Sequence, residues 1–475
     1  MAPEVPDGAP MYAPSPTVED FIHACASGPV NEFRVLVLMG SRGVGKGLRH
    51  GTPVLTPTGW VKVEDLAAGD VIVAGDGTAT RVTGAYPQPT QTLYRVTFSD
   101  GAWVDVTDDH RWGIETIWDR KGGAAADTRD RSGRGLGLRA APAKRRVWSH
   151  HRGQRVVTTA DLRAKLAAGT WRCGGRWSIP LVGPITLPAQ AVPLDPYLLG
   201  LLLGDGSFRG GRSGLRMTSA DAEIIDSVRR RVPAGIAVRH VSRHDYALSG
   251  PTGCGQRGPR NPLRIALHDL GLLGHASHEK FVPYVYLWNS PEVRLAVLQG
   301  LLDTDGTALK HSNSVSYSTT SSRLAEDVTF LVRSLGGLAI TRTRTTQYRH
   351  KGEVRHGRLS YHISVRLPNG VAPFQLARKA ARVRAKGRRN QARRYIVDIK
   401  AIGEGLSTCL SVAHPSKLYI TKDFIVTHNT TAALYALICL GQRLQIEGQG
   451  GKLPLRVAVV RDTYRNLERT TLASL

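Results

Sequence analysis

The feature that most constrains this chain is a phosphate-binding loop cut in two. Residues 34–39 (RVLVLM) are apolar, β-branched and short, the pattern of a buried strand. GSRGVGK follows at 40–46. A P-loop needs its glycines, here Gly40 and Gly45, so that backbone amides can wrap phosphates. It needs Lys46 to neutralise them, and a Ser or Thr immediately after to hold Mg²⁺ at a helix start. The next residue is Gly47, which has no hydroxyl, and LRHGTPVLTPTGW beyond it is too rich in Pro and Gly to be that helix. The missing half begins at Thr430: TTAALYALICLGQRL has helix-forming residues at helical spacing, and RVAVV (456–460) reads as the next strand. Joining Lys46 to Thr430 gives strand, GSRGVGKT, helix, strand, the opening βαβ unit of a nucleotide-binding domain. ATP and Mg²⁺ are expected there only once the halves are joined.

Residues 47–429 are therefore an insertion, and the charge lies inside it. The chain has 64 Lys/Arg against 38 Asp/Glu, a net +26. The two flanks carry nine basic and eight acidic residues, so +25 falls within 47–429. That charge suits a polyanion, with nucleic acid the leading candidate. No apolar run is long enough to span a membrane, and the N-terminus lacks the pattern of a secretory signal. Five cysteines in 475 residues form neither a disulfide framework nor paired zinc spacing, so a reducing cytoplasm is expected.

The margins of the insertion resemble the splicing blocks of inteins. GLRHGTPVLTPTGWVKVEDLAAGDVIV (47–73) resembles the opening block of the horseshoe-shaped, all-β Hint splicing domain, and TDDH (107–110) its T-x-x-H block. LSTCLSV…KDFIVTHN (406–429) resembles the two closing blocks, ending His428-Asn429 before Thr430. The chemistry follows from the residue types. The Asn429 side chain can attack its own carbonyl and release Thr430, with His428 as acid or base. The Thr430 hydroxyl can hold an acyl group as a branched ester. Thr107 and His110 would polarise the Lys46–Gly47 bond and protonate its leaving amine.

Gly47 departs from the usual Cys or Ser and cannot start an acyl shift. Cys409 stands where ordinary inteins carry Asp, Trp112 lies two residues after His110, and Thr427 precedes His428. This trio resembles the signature of class 3 inteins, which implies that Cys409 attacks the upstream junction, Trp112 packs beside it and Thr427 assists the final steps. Cys25, Cys173, Cys254 and Cys439 read as ordinary small hydrophobes. One mismatch stands in the closing block: Lys422-Asp423, and not a His, precede Phe424.

Two further segments, PYLLGLLLGDGSF (196–208) and LAVLQGLLDTDGT (295–307), share one pattern: an apolar helix, an internal Gly and a terminal Asp-Gly. They resemble the paired helices of a LAGLIDADG homing endonuclease. The resemblance implies close helix packing through Gly200 and Gly300, and a divalent cation (Mg²⁺) held by Asp205 and Asp305 over double-stranded DNA. Lys280, in KFVPYV, would be an auxiliary catalytic residue. Two motifs in one chain imply a monomer cutting both strands. Residues 376–394 carry nine Lys/Arg and no acid, and read as a phosphate-contacting arm or a solvated linker.

The expected architecture is multidomain: an all-β Hint horseshoe plus an α/β LAGLIDADG endonuclease of two αββαββα halves, flanked by two halves of a P-loop βαβ unit. The expected division is 1–46 and 430–475 as flanks, 47–135 and 395–429 as splicing domain, 136–190 as a DNA-contacting linker and 191–394 as endonuclease. RVAVVRDTYRNLERTTLASL resembles the segment after the P-loop in phage terminase large subunits, which implies a host ATPase of a packaging motor, present here as a fragment. Two alternatives remain open: a DNA-binding insertion whose splicing edges are dead, and a P-loop ATPase with a structural insertion.

Overall fold

The computed structural model describes residues 47–116, 155–168, 177–209, 214–250, 261–309, 314–350, 353–383 and 392–428. All of these lie in one compact unit spanning 45–429. The readings placed on Gly40, Gly45, Lys46, Asn429 and Thr430, and on both P-loop flanks, lie outside the described residues, as do Cys25, Cys173, Cys254 and Cys439.

The margins of the insertion fold together into two six-stranded sheets. In the first, Leu48–Arg49 lies between Trp103–Thr107 and the long strand Arg394–Val412, which also pairs with Ala79–Phe98. In the second, Pro53–Thr56 neighbours Leu418–Thr421, which pairs with Ile425–His428 and through it with Arg111–Ile114. The strands are rich in β-branched and aromatic residues, and Leu48, Val54, Ile72, Val96, Val106, Trp112 and Ile425 are buried in one core. Residues read from sequence as linker take part: strand Arg155–Thr158 pairs with Arg111–Ile114, and helix α1 (Thr159–Ala167) follows.

Residues 196–380 repeat one order of elements twice. The first half runs through α2 (Pro196–Asp205), strands Gly206–Ser207 and Leu215–Thr218, α3 (Ala222–Arg231), strands Ala237–Ser242 and Asp245–Ser249, and α4 (Pro262–Asp269). After the short α5 (Tyr284–Leu287), the second half runs through α6 (Pro291–Asp305), strands Gly306–Ala308 and Val315–Thr319, α7 (Ser322–Ser334), strands Leu338–His350 and Glu353–Arg366, and α8 (Ala377–Ala380). Each half is thus αββαββα with a four-stranded antiparallel sheet. Both motif helices start the same way: Asp195 Oδ1 accepts from Leu198 N at 2.8 Å, Ser290 Oγ accepts from Val293 N at 3.5 Å, and a proline follows each cap.

α2 and α6 meet at glycine. A Cβ on either Gly200 or Gly300 would sit 2.8 Å from the Cα of the other. Only two hydrogens at this crossing let the backbones approach so closely.

The two parts are fastened to each other. A hydrophobic cluster combines Leu55, Val73, Ile420 and Phe424 from the splicing-margin sheets and their 3-10 turn with Val182 and Ile185 from the segment before α2 and Trp288 from the helical part. Ring contacts run Trp60–Phe424 (5.4 Å), Phe424–Phe330 (5.2 Å) and Phe330–Trp288 (5.5 Å). Beside them lies a buried ionic group. Asp100 Oδ2 accepts from Arg394 Nε (3.0 Å), Arg394 Nη2 (2.7 Å) and Arg333 Nη2 (3.2 Å), and Arg333 Nη1 donates to Asp423 Oδ1 at 2.6 Å. Among the described residues no helix is long and apolar enough to cross a membrane.

Candidate functional sites

The upstream margin enters the first sheet at its centre. Leu48 pairs with Thr408 and Arg49 with Ser407. Gly47, just before this pairing begins, lies against Ser407 and the Thr408 backbone on the strand that carries Cys409. The Gly47 carbonyl accepts from Thr107 N at 3.1 Å and from Thr107 Oγ1 at 3.4 Å. Thr107 thus grips the first residue of the insertion from the strand on the opposite side to Cys409.

His110 follows the turn after Thr107, and its backbone N–H donates to the Thr107 carbonyl at 3.1 Å. Its Nε2 is hydrogen-bonded to Thr427 Oγ1, and both residues are buried. This contact links the upstream block to the closing block across more than 300 residues of sequence. Trp112 is fully buried; its ring meets His110 at 5.0 Å and Phe98 at 5.8 Å, and its Nε1 donates to Thr159 Oγ1 at 3.0 Å. Thr159 N in turn donates to the His110 carbonyl at 2.9 Å. His428 ends the last strand, paired with Leu418 and Arg111.

The structure adds residues here that the sequence did not single out. Thr159, far from every splicing block in the chain, orients both Trp112 and His110. Tyr419 is buried close to Cys409, and burial followed by the nearby thiol raises its phenol well above the usual range. Asp423, at the mismatch in the closing block, has left-handed φ (59°), and its carboxylate turns to Arg333.

The second site lies where α2 and α6 end. Burial raises Asp205, against a hydrogen bond from Ser219 and the charges of Lys280 and Lys379. Burial and then the charge of Asp205 push Asp305 up to about 6. Lys280 Nζ donates to the carbonyls of Leu203 (2.8 Å), Gly204 (3.2 Å) and Gly206 (2.6 Å), closing the C-terminus of α2. Burial lowers this ammonium to about 8, opposed by Asp305 and Asp205.

Lys379 is its counterpart in the second half, and sequence reading missed it. Its Nζ donates to the carbonyls of Asp303 (2.5 Å), Thr304 (3.5 Å) and Gly306 (2.9 Å), the same positions one repeat later. It lies within the basic run 376–394, where a lysine with one specific partner looks like any other. The reading of that run as a phosphate-contacting arm or solvated linker is corrected at both ends: Lys379 binds the end of α6 and Arg394 is fully buried. Asp303 sets the geometry of Lys379, because its Oδ2 accepts from Gln375 N (2.9 Å) and Leu376 N (3.2 Å), just before α8.

Two carboxylates at the ends of paired helices fit a hard cation that takes one or two of them and completes its shell with water and phosphate oxygens. Among the described residues no cluster of three or more His, Cys, Asp or Glu side chains forms a fuller cage. Arg342, Arg344, Arg355 and Arg358 stand exposed on the long hairpin of the second sheet, and Arg239 and His240 on the first.

Residues 292–367 match the LAGLIDADG-like domain, so the chain carries a domain of that class. Beyond that domain, the chain is 30% identical over 413 residues to the replicative DNA helicase DnaB of Mycobacterium intracellulare, covering 84% of this chain and 61% of that protein. It is 36% identical over 113 residues to the replicative DNA helicase DnaB of Rhodothermus marinus, covering 23% of this chain and 11% of that protein. It thus spans about three fifths of the first relative's length. Among solved structures, it is 38% identical to the MchDnaB-1 intein (N145AA), over 14% of this chain and 53% of that one, with a TM-score of 0.14.

These relatives overturn the expectation of a terminase-like host in a phage packaging motor, since they are replicative helicases. The physical reason is plain. A strand, a P-loop, a helix and a second strand are common to many ATPases, and the short segment after them holds too little to choose among them.

Proposed function

We propose that residues 47–429 are a self-splicing intein with an embedded DNA endonuclease, interrupting the P-loop of a helicase-type ATPase of the DnaB kind. The observation that carries the splicing reading is the pairing of the upstream margin with the strand that carries Cys409, with Thr107 on the Gly47 carbonyl and His110 tied to Thr427. The two six-stranded sheets are read as the Hint horseshoe, and 45–429 folding as one unit supports an insertion with these limits.

In this reading the Cys409 thiolate attacks the Lys46 carbonyl. A C–S bond forms, the Lys46–Gly47 bond breaks, and the Gly47 amine leaves with a proton delivered by His110. The Thr430 hydroxyl takes the acyl group from sulfur. The Asn429 side-chain amide then attacks its own carbonyl, which frees the Thr430 amine, and the ester rearranges to a peptide bond. His428 and Thr427 serve this closing step. Leu48–Arg49 forming strand disfavours the alternative of an uninterrupted P-loop with a structural insertion, because that loop must run directly into a helix.

For the endonuclease, Asp205 and Asp305 would hold Mg²⁺, which supplies charge stabilisation at a phosphodiester when bound. Lys280 and Lys379 fix the two helix ends and place a positive charge beside each carboxylate. The exposed arginines of the two sheets would track the DNA backbone. The repeated half within one chain suits a monomer.

Intact mass of the expressed chain tests the splicing reading. An excised piece of 47–429 with a ligated piece joining Lys46 to Thr430 is expected, and an unprocessed chain overturns it. Cys409→Ala should block both junctions, and Asn429→Ala should let a branched species accumulate. Incubation with Mg²⁺ and DNA spanning the uninterrupted P-loop codons should show cutting of both strands.

A further inference from the structure

The glycine that opens the insertion is dictated by space. Gly47 has no left-handed φ, so its backbone would accept any L-residue. What it lacks is room. A Cβ on Gly47 would lie 2.5 Å from Ser407 Cβ and 3.2 Å from Thr408 N, and closer still to Ser407 Oγ. The hydroxyl is the movable part, but Ser407 Cβ is fixed by its strand and cannot step aside.

Ser407 is well held. It is fully buried, it pairs with Arg49 across the sheet, and its Oγ accepts from Gln91 Nε2 at 3.5 Å. It also lies two residues before Cys409 on the same strand, so both side chains point to the same face. Ser407 lies directly against Gly47, and Cys409 is the next side chain along that face of the strand.

We propose that Ser407 is the residue that determines which route opens the upstream junction. It occupies the space that a first-residue Cys or Ser would need, and so closes the acyl-shift route while Cys409 serves the internal one. This rests on the splicing reading above.

Both routes break the same bond. In the internal route the Cys409 sulfur bonds to the Lys46 carbonyl carbon, and the Lys46–Gly47 C–N bond breaks. In the first-residue route a sulfur on residue 47 would bond to that same carbon, and the same nitrogen would leave, taking up the thiol proton. Ser407 decides whether the second sulfur can be placed at all.

The test restores the excluded route in a precursor with the internal route removed. The background is the full chain with Cys409→Ala and Asn429→Ala. Gly47→Cys is then added alone, with Ser407→Ala, or with Ser407→Gly, and release of the N-terminal flank by hydroxylamine or dithiothreitol is followed by mass. Thermal unfolding of each variant confirms that it is folded.

The expected result is at least tenfold faster release with Ser407→Gly than with Ser407 intact. Ser407→Ala should stay slow, because it keeps the obstructing Cβ. Equal release from Gly47→Cys with Ser407 intact overturns the proposal. So does absence of release from the folded Ser407→Gly variant, since space would then not be what closes the route. Failure of the splicing reading shows elsewhere, as an unprocessed native chain or as continued splicing by Cys409→Ala.

Discussion

Asp100→Ala should destabilise the folded insertion more than any other single carboxylate removal among the described residues. The Asp100 side chain is fully buried and one oxygen accepts three N–H bonds from two guanidiniums. Those guanidiniums are nearly inaccessible, at 1% for Arg394 and 8% for Arg333. Burial already lowers the Arg394 guanidinium, and Asp100 is the main influence opposing that. Without Asp100, Arg394 keeps only the carbonyls of Asp423 and Phe424, and Arg333 keeps Asp423, whose side chain is 31% exposed. Removing one partner of a buried ion pair costs about 3–5 kcal/mol, because an uncompensated charge is left behind. One carboxylate here serves two cations, so a loss of about 5 kcal/mol is expected. Urea unfolding of the full chain, blocked by Cys409→Ala and Asn429→Ala, measures it from the midpoint and slope of the first transition. The triple change Asp100→Leu, Arg394→Met and Arg333→Met should lose far less, because it removes the charges together. A loss below about 1 kcal/mol for Asp100→Ala would place the group in solvent-level screening and refute the burial argument.

Gly300→Ala should push α6 off α2, since the new Cβ would meet Gly200 Cα at 2.8 Å and the Tyr197 carbonyl beside it. A cost of about 1–3 kcal/mol in urea unfolding is expected. Lys379→Met should lower DNA cutting about 10²-fold or more, matching Lys280→Met, and a nicking assay should show one strand affected more than the other. Asp327 gives a pH signature: burial pushes it up to about 6 from the usual 3.8, while its Oδ2 accepts from Val282 N at 2.7 Å. A carboxyl raised on folding binds its proton more tightly in the native state, so the contribution of Asp327 to stability is fully present below pH 3.8 and is lost as pH rises through about 6. Asp327→Asn should flatten that fall, by up to about 3 kcal/mol between pH 4 and 7, and an unchanged slope would refute it.

Local signals exposed much of this architecture and little of its assembly. The two motif helices were legible because apolar residues fill them, each has an internal Gly, and Asp-Gly ends them. Their crossing followed from Gly200 and Gly300. The Asp100, Arg394, Arg333 and Asp423 group was invisible, since its hydrogen-bonded partners lie up to 294 residues apart and each alone is an ordinary charge. Thr159 was hidden for the same reason: nothing local to it says that it will hold Trp112. Lys379 was missed through composition, because eight other basic residues in 376–394 masked the one with a carbonyl nest to fill.

The charge argument changes once burial is known. A surplus of +25 in the insertion was read as a grip for DNA, yet Arg294, Arg333 and Arg394 face inward. Arg294 donates to the carbonyls of Asn289 (3.0 Å) and Ser334 (3.1 Å), closing the end of α7, and burial lowers it to about 10. Such arginines act as structural hydrogen-bond donors, and they are lost to any polyanion. DNA binding must then fall to exposed residues such as Arg342, Arg344, Arg355 and Arg358. Replacing each of these with Gln should flatten the salt dependence of DNA affinity by about one unit of slope per phosphate contact removed. Arg294→Gln should leave that slope unchanged while lowering stability. If Arg294→Gln flattened the salt slope as Arg344→Gln does, the division between structural and DNA-facing arginines would be wrong.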